Sequence, residues 1–538
     1  MIGFGEAAFV FFAPACLSFA IGHVTIGTAA SIIALFAYFV WTKRVNDYWI
    51  RRGVPAPKPN FLFGNFLQMG KGIHLYDIEN ARKYGPIYGG SFLGLRELNV
   101  CDADMLKHIL IQDFPAFPDR MLGDFFVGNQ TIRKHMVNVM RDQRWKDVKK
   151  TITPAFTPRR IEKMFPLMWG CLRRAESILD NCIKNSNGVF KSEKFFCNLS
   201  MDVIAQCAFG VDLGTQRYER QSDFMYYALR IFETSFVDWR IMFLTLFPNV
   251  ARLCEKIFNF QLIANYSDVF FEDGIRRIIE QRRNNPNRKY DDFLQLLMDT
   301  VSERGGTEDD GGENNDALAG GKKVVLSELE LVAQGYLFLV VGFQTISATL
   351  QFVAYSLASN PHVQEIAYKE IMDVVGAKES IEYDDVMKMP YIEQVMNETL
   401  RMYPPVSRND RKCRSDITLN GITIEKDTFV FVPTFAVHYD ERNYPNPHVF
   451  DPDRFSPSEK VKRNPFTFVP FGIGPRSCIG QRFAQIEIRL ALAYLLHKFR
   501  FSISEEFLGK PLEVDTRGMT KAKGPVFLTV ERRKTRVN

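Results

Sequence analysis

The sequence feature that most constrains the fold lies near the C-terminus, in Phe471-Gly472-Ile473-Gly474-Pro475-Arg476-Ser477-Cys478-Ile479-Gly480. Two glycines and a proline ahead of Cys478 predict a tight, irregular loop. The apolar-periodic run after Gly480 predicts a helix that begins there. The helix dipole contributes only about 0.3 to 1 kcal/mol, too little to hold a buried thiolate. The loop therefore makes chemical sense mainly if a metal cation, with iron as the candidate, displaces the thiol proton.

A long apolar helix is predicted upstream of this loop. Ser327-Glu328-Leu329-Glu330 has the spacing of a capping box and opens a helical segment that extends to about Ser359. A membrane span is the rival interpretation, but Gln334 and Gln344 leave only nine uninterrupted residues between them, too few to cross a bilayer. We expect a helix buried through the centre of a large domain.

Three further groups of residues accompany the loop and the helix. They are Trp145-Lys146-Asp147-Val148-Lys149, Val341-Gly342-Phe343-Gln344-Thr345, and Glu398-Thr399-Leu400-Arg401 with the downstream Pro452-Asp453-Arg454-Phe455. Each is commonplace by itself, since core helices often contain glycine and threonine and an exposed ion pair contributes only about 0 to 1 kcal/mol. Their combination with the cysteine loop is far more specific.

This combination resembles the cytochrome P450 family from Pro55 to the C-terminus. The likeness is greatest from Leu331 onward, to the microsomal clan that includes vertebrate drug- and steroid-oxidising enzymes and thromboxane synthase. The resemblance implies a mainly α (α+β) fold, with one large helical domain and a smaller β-sheet part, preceded by an N-terminal transmembrane helix. It overrides the two to four domains that a length of 538 residues suggests.

The resemblance implies haem b (iron protoporphyrin IX) as the cofactor. Cys478 would be the axial thiolate ligand of the iron, which favours O–O cleavage, and Phe471 belongs to the same loop. Four residues would form the propionate end of the haem site: Trp145, Lys149, Arg411 and Arg476. Lys149 stands where the family usually has arginine, and a single cation pairs less specifically than a guanidinium fork.

Gly342, Gln344 and Thr345 are the predicted catalytic residues, because their segment resembles the family's oxygen-activating sequence Ala-Gly-x-acid-Thr. Gly342 would let the backbone approach the haem closely. The Thr345 hydroxyl would donate to dioxygen and support proton delivery. Gln344 replaces the usual acid and cannot ionise, so proton delivery would use water, Thr345 alone or another acid.

Glu398, Arg401 and Arg454 correspond to a buried Glu-Arg-Arg lock in the family. The lock would brace the cysteine loop, and we assign these residues to structure, with no catalytic step.

The N-terminus predicts a membrane anchor over residues 1–45. No formal charge occurs between Ala7 and Thr42, and the apolar or small run Val24–Trp41 ends at Lys43-Arg44. Eighteen residues span about 27 Å, close to the hydrocarbon thickness of a bilayer, and the basic flank places the remainder in the cytosol. The sequence does not decide whether this anchor crosses the membrane once or twice. A cleavable signal peptide is the rival, disfavoured by Glu6 and by the absence of a preceding Lys or Arg.

Two linkers are predicted. Residues 46–60 form a proline-rich hinge, since Pro55-Ala56-Pro57-Lys58-Pro59 favours a stiff, extended connector. The catalytic domain would then occupy residues 61–538. Within it, residues 303–322 are rich in Gly, Asp, Glu and Asn and predict a flexible, solvated loop.

Composition excludes several classes of protein. Lys and Arg number 68 against 62 Asp and Glu, an excess too small to indicate nucleic-acid binding. The nine cysteines show no CxxC motif or regular spacing, so neither a zinc site nor a disulfide framework is indicated.

The implied reaction inserts one oxygen atom from O₂ into a lipophilic small molecule, such as a xenobiotic, a steroid or a fatty acid-like compound. Electrons would come from NADPH through NADPH-cytochrome P450 reductase, with cytochrome b5 as a second candidate partner. The catalytic domain would face the cytosol from the endoplasmic reticulum membrane. Basic residues between Lys146 and Lys163 predict a docking face for an acidic reductase.

Two rival functions stay open. A haem-thiolate isomerase or dehydratase would rearrange a peroxide without O₂. Gln344, in place of the usual acid, is consistent with this alternative, whereas Thr345 disfavours it. A membrane-tethered haem sensor would bind a ligand without turnover. Pro405 and Val406 are expected to line the pocket. One aromatic group is expected in a loop over the pocket or in the core: Phe114, Phe117, Phe125 and Phe126. A second is expected in the core, at the membrane or along an access channel: Phe236, Trp239, Phe243 and Phe247. The substrate and the oxidised position are not specified.

Overall fold

The computed structural model describes residues 3–21, 23–121, 131–215, 223–231, 239–258, 266–288, 290–302, 326–376 and 378–534. The predicted loop at 303–322, Phe125, Phe126 and Phe236 lie outside these residues. The described part is mainly helical with small sheets, as predicted.

The helices occur along the whole described chain. They are α1 (Phe4–Ala20), α2 (Val24–Asn46), α3 (Ile73–Tyr84), α4 (Ala103–Lys107), α5 (Thr131–Lys134), α6 (Asp142–Ile152), α7 (Pro158–Asn185), α8 (Ser192–Phe209), α9 (Asp223–Ile231), α10 (Trp239–Leu246), α11 (Pro248–Phe258), α12 (Tyr266–Arg283), α13 (Phe293–Ser302), α14 (Glu328–Ser359), α15 (Pro361–Val375), α16 (Tyr383–Met387), α17 (Pro390–Met402), α18 (Thr434–His438), α19 (Pro457–Lys462) and α20 (Gln481–Lys498).

The strands form small sheets at the edges of the helical body. They are β1 (Ile87–Phe92), β2 (Leu95–Val100), β3 (Val189–Lys191), β4 (Arg408–Lys412), β5 (Ile417–Leu419), β6 (Ile422–Ile424), β7 (Phe429–Pro433), β8 (Phe499–Ile503), β9 (Val514–Asp515), β10 (Lys521–Ala522) and β11 (Phe527–Arg532). One sheet has the order β1-β2-β7-β4, with β2 and β7 parallel, and another has the order β3-β11-β8. The first sheet carries β4, which borders the cavity described below.

Helix α14 is the centre of the domain and confirms the prediction from the capping box. The Ser327 hydroxyl accepts from the N–H of Glu330 at 3.2 Å, and the Glu330 carboxylate accepts from the N–H of Ser327 at 2.8 Å. The helix ends at Ser359, before Asn360-Pro361. It packs against α8, α12, α17 and α20, and most of its length is buried. It is therefore a core helix.

The N-terminal segment forms two apolar helices. Helix α2 has the length and hydropathy of a membrane span, and only 11% of its most apolar stretch is buried in the protein. The following Pro55–Pro59 segment has no regular secondary structure, and the Pro55 carbonyl accepts from the N–H of Gly89 at 2.8 Å. This bond ties the connector to strand β1.

Candidate active site

A largely apolar cavity lies between α14 and the cysteine loop. The cavity has a volume of about 310 Å³. Residues from α6, α14, β4, α20 and the loop at 470–480 line it. Seven of the predicted site residues line it: Trp145, Lys149, Gly342, Thr345, Phe471, Arg476 and Cys478. The structure thus brings together residues that are more than 130 positions apart in the sequence.

Glycines shape the loop that carries Cys478. Gly472 and Gly474 have φ values of +67° and +82°, a region that favours glycine. A Cβ on Gly474 would lie 2.0 Å from the Leu110 carbonyl oxygen, so a side chain is excluded there. The N–H of Cys478 donates to the Phe471 carbonyl at 2.9 Å, which closes the loop immediately before α20.

Cys478 faces the cavity at the start of α20. Its side chain is exposed to the cavity, although protein surrounds it on the other sides. This burial raises the pKa of the thiol, while a hydrogen bond from the Gly480 N–H and the charge of Arg120 act in the opposite direction. The sulfur is therefore accessible from the cavity and has weak electrostatic support as a free thiolate.

Helix α14 presents Val341, Gly342 and Thr345 to the same cavity. The Thr345 hydroxyl donates to the Val341 carbonyl at 2.9 Å, which leaves its oxygen free to accept. A Cβ on Gly342 would lie 2.6 Å from Ile204 Cδ1 on α8. Close packing between α14 and α8 is thus one reason for glycine at this position, in addition to the predicted approach of the backbone.

Gln344 does not line the cavity. It is buried with 8% exposure, and its Oε1 has no hydrogen-bond partner among the described residues. Its side chain leaves α14 in a different direction from that of Thr345. The position that resembles the family's acid is therefore placed without direct access to the cavity.

Four cations crowd one end of the cavity. The pKa of Arg411 is lowered to about 9, first by burial and then by the charge of Arg120. The pKa of Arg476 is also lowered to about 9, first by burial and then by the charges of Arg120 and Arg411. The pKa of Lys149 is lowered by burial, Arg476 and Arg120. Arg411 lies behind the lining, and its Nε lacks a partner among the described residues. Asp410 and Asp119 act in the opposite direction on Arg411 and Arg476, and a bound anion would further relieve the repulsion.

Arg476 and Lys149 also hold the cavity wall together. Arg476 donates to the carbonyls of Pro118 at 3.0 Å and Met140 at 2.8 Å. Its guanidinium lies 3.7 Å from the centroid of the Trp145 ring, within the range of a cation–π contact. Lys149 donates to the Pro475 carbonyl. Helix α6 is thereby fastened to the cysteine loop.

Glu398 and Arg401 form a fully buried, bidentate ion pair on α17. The Arg401 Nε and Nη2 atoms donate to the two Glu398 oxygens at 2.7 and 2.8 Å, and both side chains are 0% exposed. The Arg454 Nε lies 3.5 Å from Glu398 Oε1. The structure therefore brings together the three predicted lock residues.

His438 connects this ion pair to the cysteine loop. Arg401 donates to the His438 carbonyl at 3.1 Å, and His438 Nδ1 lies 3.0 Å from the Arg401 carbonyl. His438 Nε2 accepts from the N–H of Val469 at 3.0 Å, just before the loop. Because Nε2 accepts, the ring is neutral with the proton on Nδ1. Sequence reasoning missed this residue, since a single histidine in an apolar segment carries no distinguishing pattern.

The aromatic and pocket predictions have mixed outcomes. Pro405 and Val406 line the cavity, as expected. Phe114 and Phe117 are buried in the core and do not line it. Phe247 contacts Phe9 of α1, with ring centroids 6.2 Å apart, so this aromatic residue packs against the N-terminal segment.

Comparison with known proteins identifies the family. A family profile described as Cytochrome P450 matches residues 54–529. Cytochrome P450 3A31 of Mesocricetus auratus is 34% identical over 90% of this chain and 92% of its own length. Cytochrome P450 3A2 of Rattus norvegicus is 32% identical over 94% and 97%, and cytochrome P450 3A5 of Homo sapiens is 31% identical over 94% and 96%.

The chain belongs to the cytochrome P450 family. It is therefore a haem-thiolate monooxygenase, an oxidoreductase that works with a reductase on lipophilic substrates. The predicted family, fold class and enzyme class are confirmed.

The cavity of this P450 has features that fit haem. Its apolar walls suit a porphyrin ring, and Cys478 supplies a sulfur donor. The cation cluster favours negative charge, and the two haem propionates would supply it. Arg120, which sequence reasoning missed, lines the cavity within this cluster and donates to the Arg476 carbonyl at 2.7 Å. Its position beside Arg476 follows from a contact across 356 residues, which no local pattern reveals.

Proposed function

We propose that this cytochrome P450 inserts one oxygen atom from O₂ into a lipophilic small molecule of xenobiotic, steroid or fatty acid type. NADPH-cytochrome P450 reductase would supply the electrons. The observation that carries the proposal is that Cys478 and Thr345 line one apolar cavity from two separate elements. A sulfur ligand and a proton-donating hydroxyl are then available to the same bound group.

Haem b is the proposed form of the cofactor. Cys478 would hold its iron, and four cations would hold its propionates: Arg120, Lys149, Arg411 and Arg476. When bound, haem supplies the redox chemistry that activates O₂. The charge repulsion among the cations supports this assignment, because two carboxylates would relieve it.

Thr345 is the proposed proton donor at the cavity. Its hydroxyl hydrogen is held by the Val341 carbonyl and can rotate toward a group in the cavity while the oxygen accepts from water. Gln344 would not transfer a proton itself, because its amide cannot ionise and does not face the cavity. We therefore assign proton delivery to Thr345 and water, and the position of Gly342 to close approach of α14.

The lining explains the choice of a lipophilic substrate. Phe156, Leu337, Phe338 and Val406 present apolar surface to the cavity. Burying such surface contributes about 25 cal/mol per Å², and the same walls exclude water. Asn409 and Asp410 add polar groups at one wall, where they would orient a substrate that carries a polar atom.

The proposed setting is the endoplasmic reticulum membrane, with the catalytic domain in the cytosol. Helix α2 supports an anchor by its length, hydropathy and low burial. Exposed bases on α6 and α7 surround the side of the protein that carries Lys149 and the cysteine loop: Lys146, Lys150, Arg159 and Lys163. This face would receive the acidic reductase, and cytochrome b5 would use the same attraction.

Reconstitution separates this function from its rivals. Purified protein, reductase, NADPH and ¹⁸O₂ should yield a product that contains one ¹⁸O atom. Conversion of a lipid hydroperoxide without NADPH would favour the isomerase, and spectral binding of ligands without any product would favour the sensor. The reduced, carbon monoxide-treated protein should show the red-shifted Soret band of thiolate coordination. Cys478→Ser should lose this band, whereas Cys413→Ser, at another buried cysteine, should keep it.

A further inference from the structure

The N-terminal helices α1 and α2 form an antiparallel hairpin. We propose that this hairpin crosses the lipid bilayer twice, so that the N-terminus lies on the same side of the membrane as the catalytic domain. The inference rests on the proposed membrane location and adds the topology, which the sequence leaves open.

Contacts between the two helices establish their antiparallel arrangement. Near the start of α1, the Phe4 carbonyl accepts from the Tyr38 hydroxyl at 3.2 Å, and the rings of Phe4 and Trp41 lie 5.3 Å apart. Near the other end, a Cβ on Gly27 would lie 2.9 Å from the Phe19 ring. Early residues of α1 thus meet late residues of α2 along the full length of the hairpin.

The first turn of α1 is fixed to the catalytic domain. The Glu6 carboxylate accepts from the backbone N–H groups of Asn249 and Val250, the latter at 2.9 Å, and from the Asn249 side chain at 2.7 Å. These donors lie at the start of α11, where a carboxylate stabilises the unpaired N–H groups and the helix dipole. A Cβ on Gly5 would lie 2.2 Å from the Phe247 ring, so glycine permits this close contact.

The end of α2 is fixed to the same domain. Asn46 Nδ2 donates to the Phe61 carbonyl at 2.8 Å, and the Ser91 hydroxyl of β1 donates to Asn46 Oδ1 at 2.6 Å. Because both outer ends of the hairpin contact the catalytic domain, the end of α1 at Ala20 and the start of α2 at Val24 lie at the opposite end.

The outer surface of the hairpin suits hydrocarbon. Large apolar side chains are exposed on both helices, among them Phe9, Leu17, Phe19, Ile33, Phe36 and Phe39. Three hydroxyl groups form hydrogen bonds within their own helix. Ser18, Thr28 and Ser31 each donate to the carbonyl four residues earlier, at 2.8 to 3.0 Å. Polar groups in lipid require such internal partners.

Length and charge complete the argument. The 17 residues of α1 are shorter than the 23 of α2 and lie at the lower limit for crossing a bilayer. They span about 25 Å against a hydrocarbon core of about 30 Å, a mismatch that local thinning of the bilayer accommodates. Lys43 and Arg44 lie at the end of α2 next to the catalytic domain, where basic residues flank a span on its cytosolic side. Since α1 packs on α2 throughout, α1 enters the bilayer wherever α2 does.

An N-terminal epitope tag tests the side on which the chain begins. In sealed microsomes that contain the full-length protein, protease added without detergent should remove the tag. A tag that is protected until detergent is added would show that the chain crosses only once and would overturn the proposal. Release of intact protein by carbonate washing would instead refute the membrane location on which the inference rests.

A glycosylation acceptor tests the far end of the hairpin. An Asn-X-Thr site with flexible spacers, inserted between Ile21 and His23, should become glycosylated, because the tip would emerge in the lumen. An unmodified site with an accessible N-terminal tag would mean that the hairpin does not cross, and would also overturn the proposal.

Glu6→Ala tests the contact that sets the position of α1. In nanodiscs, amide exchange at the start of α11 should become about five-fold faster, as expected for loss of one capping interaction. Glu79→Ala, at an exposed glutamate of α3, is the matched control and should not change this exchange. Equal exchange in both variants would show that Glu6 does not hold α11.

Discussion

Two arginines at one end of the cavity, Arg411 and Arg476, are destabilised by burial and by the repulsion of neighbouring cations. The pKa of Arg411 and that of Arg476 are each lowered to about 9 by burial and by neighbouring cations, and a side chain in this state destabilises the empty protein. The same charges stabilise a bound dianion. At the residue scale, we expect these cations to destabilise the protein when no anion is bound and to favour the binding of a dianion.

Arg411→Met should therefore have effects of opposite sign on the two forms. The apo protein should unfold at a higher temperature, because one repelled charge is gone. Haem affinity should fall about 10- to 100-fold, the value of a hydrogen bond to a charged group. Thermal unfolding of apo protein and haem titration measure the two effects. Arg500→Met, at an exposed residue, should change neither.

Thr345→Ala should uncouple electron supply from product formation. Without the hydroxyl, proton delivery falls to water alone, and hydrogen peroxide release relative to product should rise about ten-fold or more. Thr153→Ala is the matched control, because the Thr153 hydroxyl makes the same bond to the carbonyl four residues earlier, at 2.6 Å, and does not line the cavity. Unchanged peroxide release in Thr345→Ala would refute the assigned role.

At the scale of elements, the ion pair on α17 acts through other segments. Arg401 contacts α18 through His438, and His438 holds Val469 ahead of the cysteine loop. The buried charges thus fix a loop more than 65 positions away. An ion pair of this kind stabilises chiefly by avoiding an unpaired buried charge.

Glu398→Ala leaves Arg401 and Arg454 without their common carboxylate. We expect a loss of about 3 to 5 kcal/mol and purified protein without haem. The ratio of Soret to protein absorbance measures this directly. Glu459→Ala, at an exposed ion pair with Lys462, should retain full haem, and normal haem content in Glu398→Ala would contradict the lock.

His438 should make this connection sensitive to acid. Burial and the charges of Arg401 and Arg463 lower the pKa of His438 from 6.5 to about 3. Below about pH 6.5, His438 is therefore protonated in the unfolded chain and stays neutral in the folded protein. Stability is full above that pH and falls by about 1.4 kcal/mol per unit of further acidification. Thermal unfolding between about pH 7 and pH 5 measures the slope, and His438→Gln should reduce it.

At the scale of the whole molecule, exposed basic residues of α6 and α7 form the proposed docking face, and the apolar helices α1 and α2 form the proposed membrane anchor. The exposed lysines of α6 lie beside the residues that hold the cysteine loop, so a reductase docked there would approach the haem site from the loop side. The chain's small net charge of +6 conceals this local concentration.

Salt should weaken coupling to the reductase. Exposed charges are screened over about 10 Å at 0.1 M salt and about 3 Å at 1 M, so the KM for reductase should rise several-fold across this range. Lys150→Glu should raise it at low salt, and Lys83→Glu on α3 should not. Turnover that is insensitive to salt would contradict docking by charge.

Local patterns predicted those parts of the molecule that depend on local forces. The capping box at Ser327 placed the start of α14, and the glycines before Cys478 indicated its loop. Helical periodicity did not reveal that Gln344 points away from the cavity, because this depends on how α14 is placed in the fold. The contacts of Arg120, His438 and Glu6 were not predicted, because their partners are distant in sequence and become neighbours only in the fold.

The cavity is completed by α20 and by Cys478, which lie close to the end of a chain of 538 residues. Its other walls come from segments as early as Arg120. During synthesis, the ribosome must therefore make the chain from Arg120 to Cys478 before these walls can meet. A porphyrin bound in this cavity would then be enclosed only after α1 and α2, which precede Arg120, have emerged.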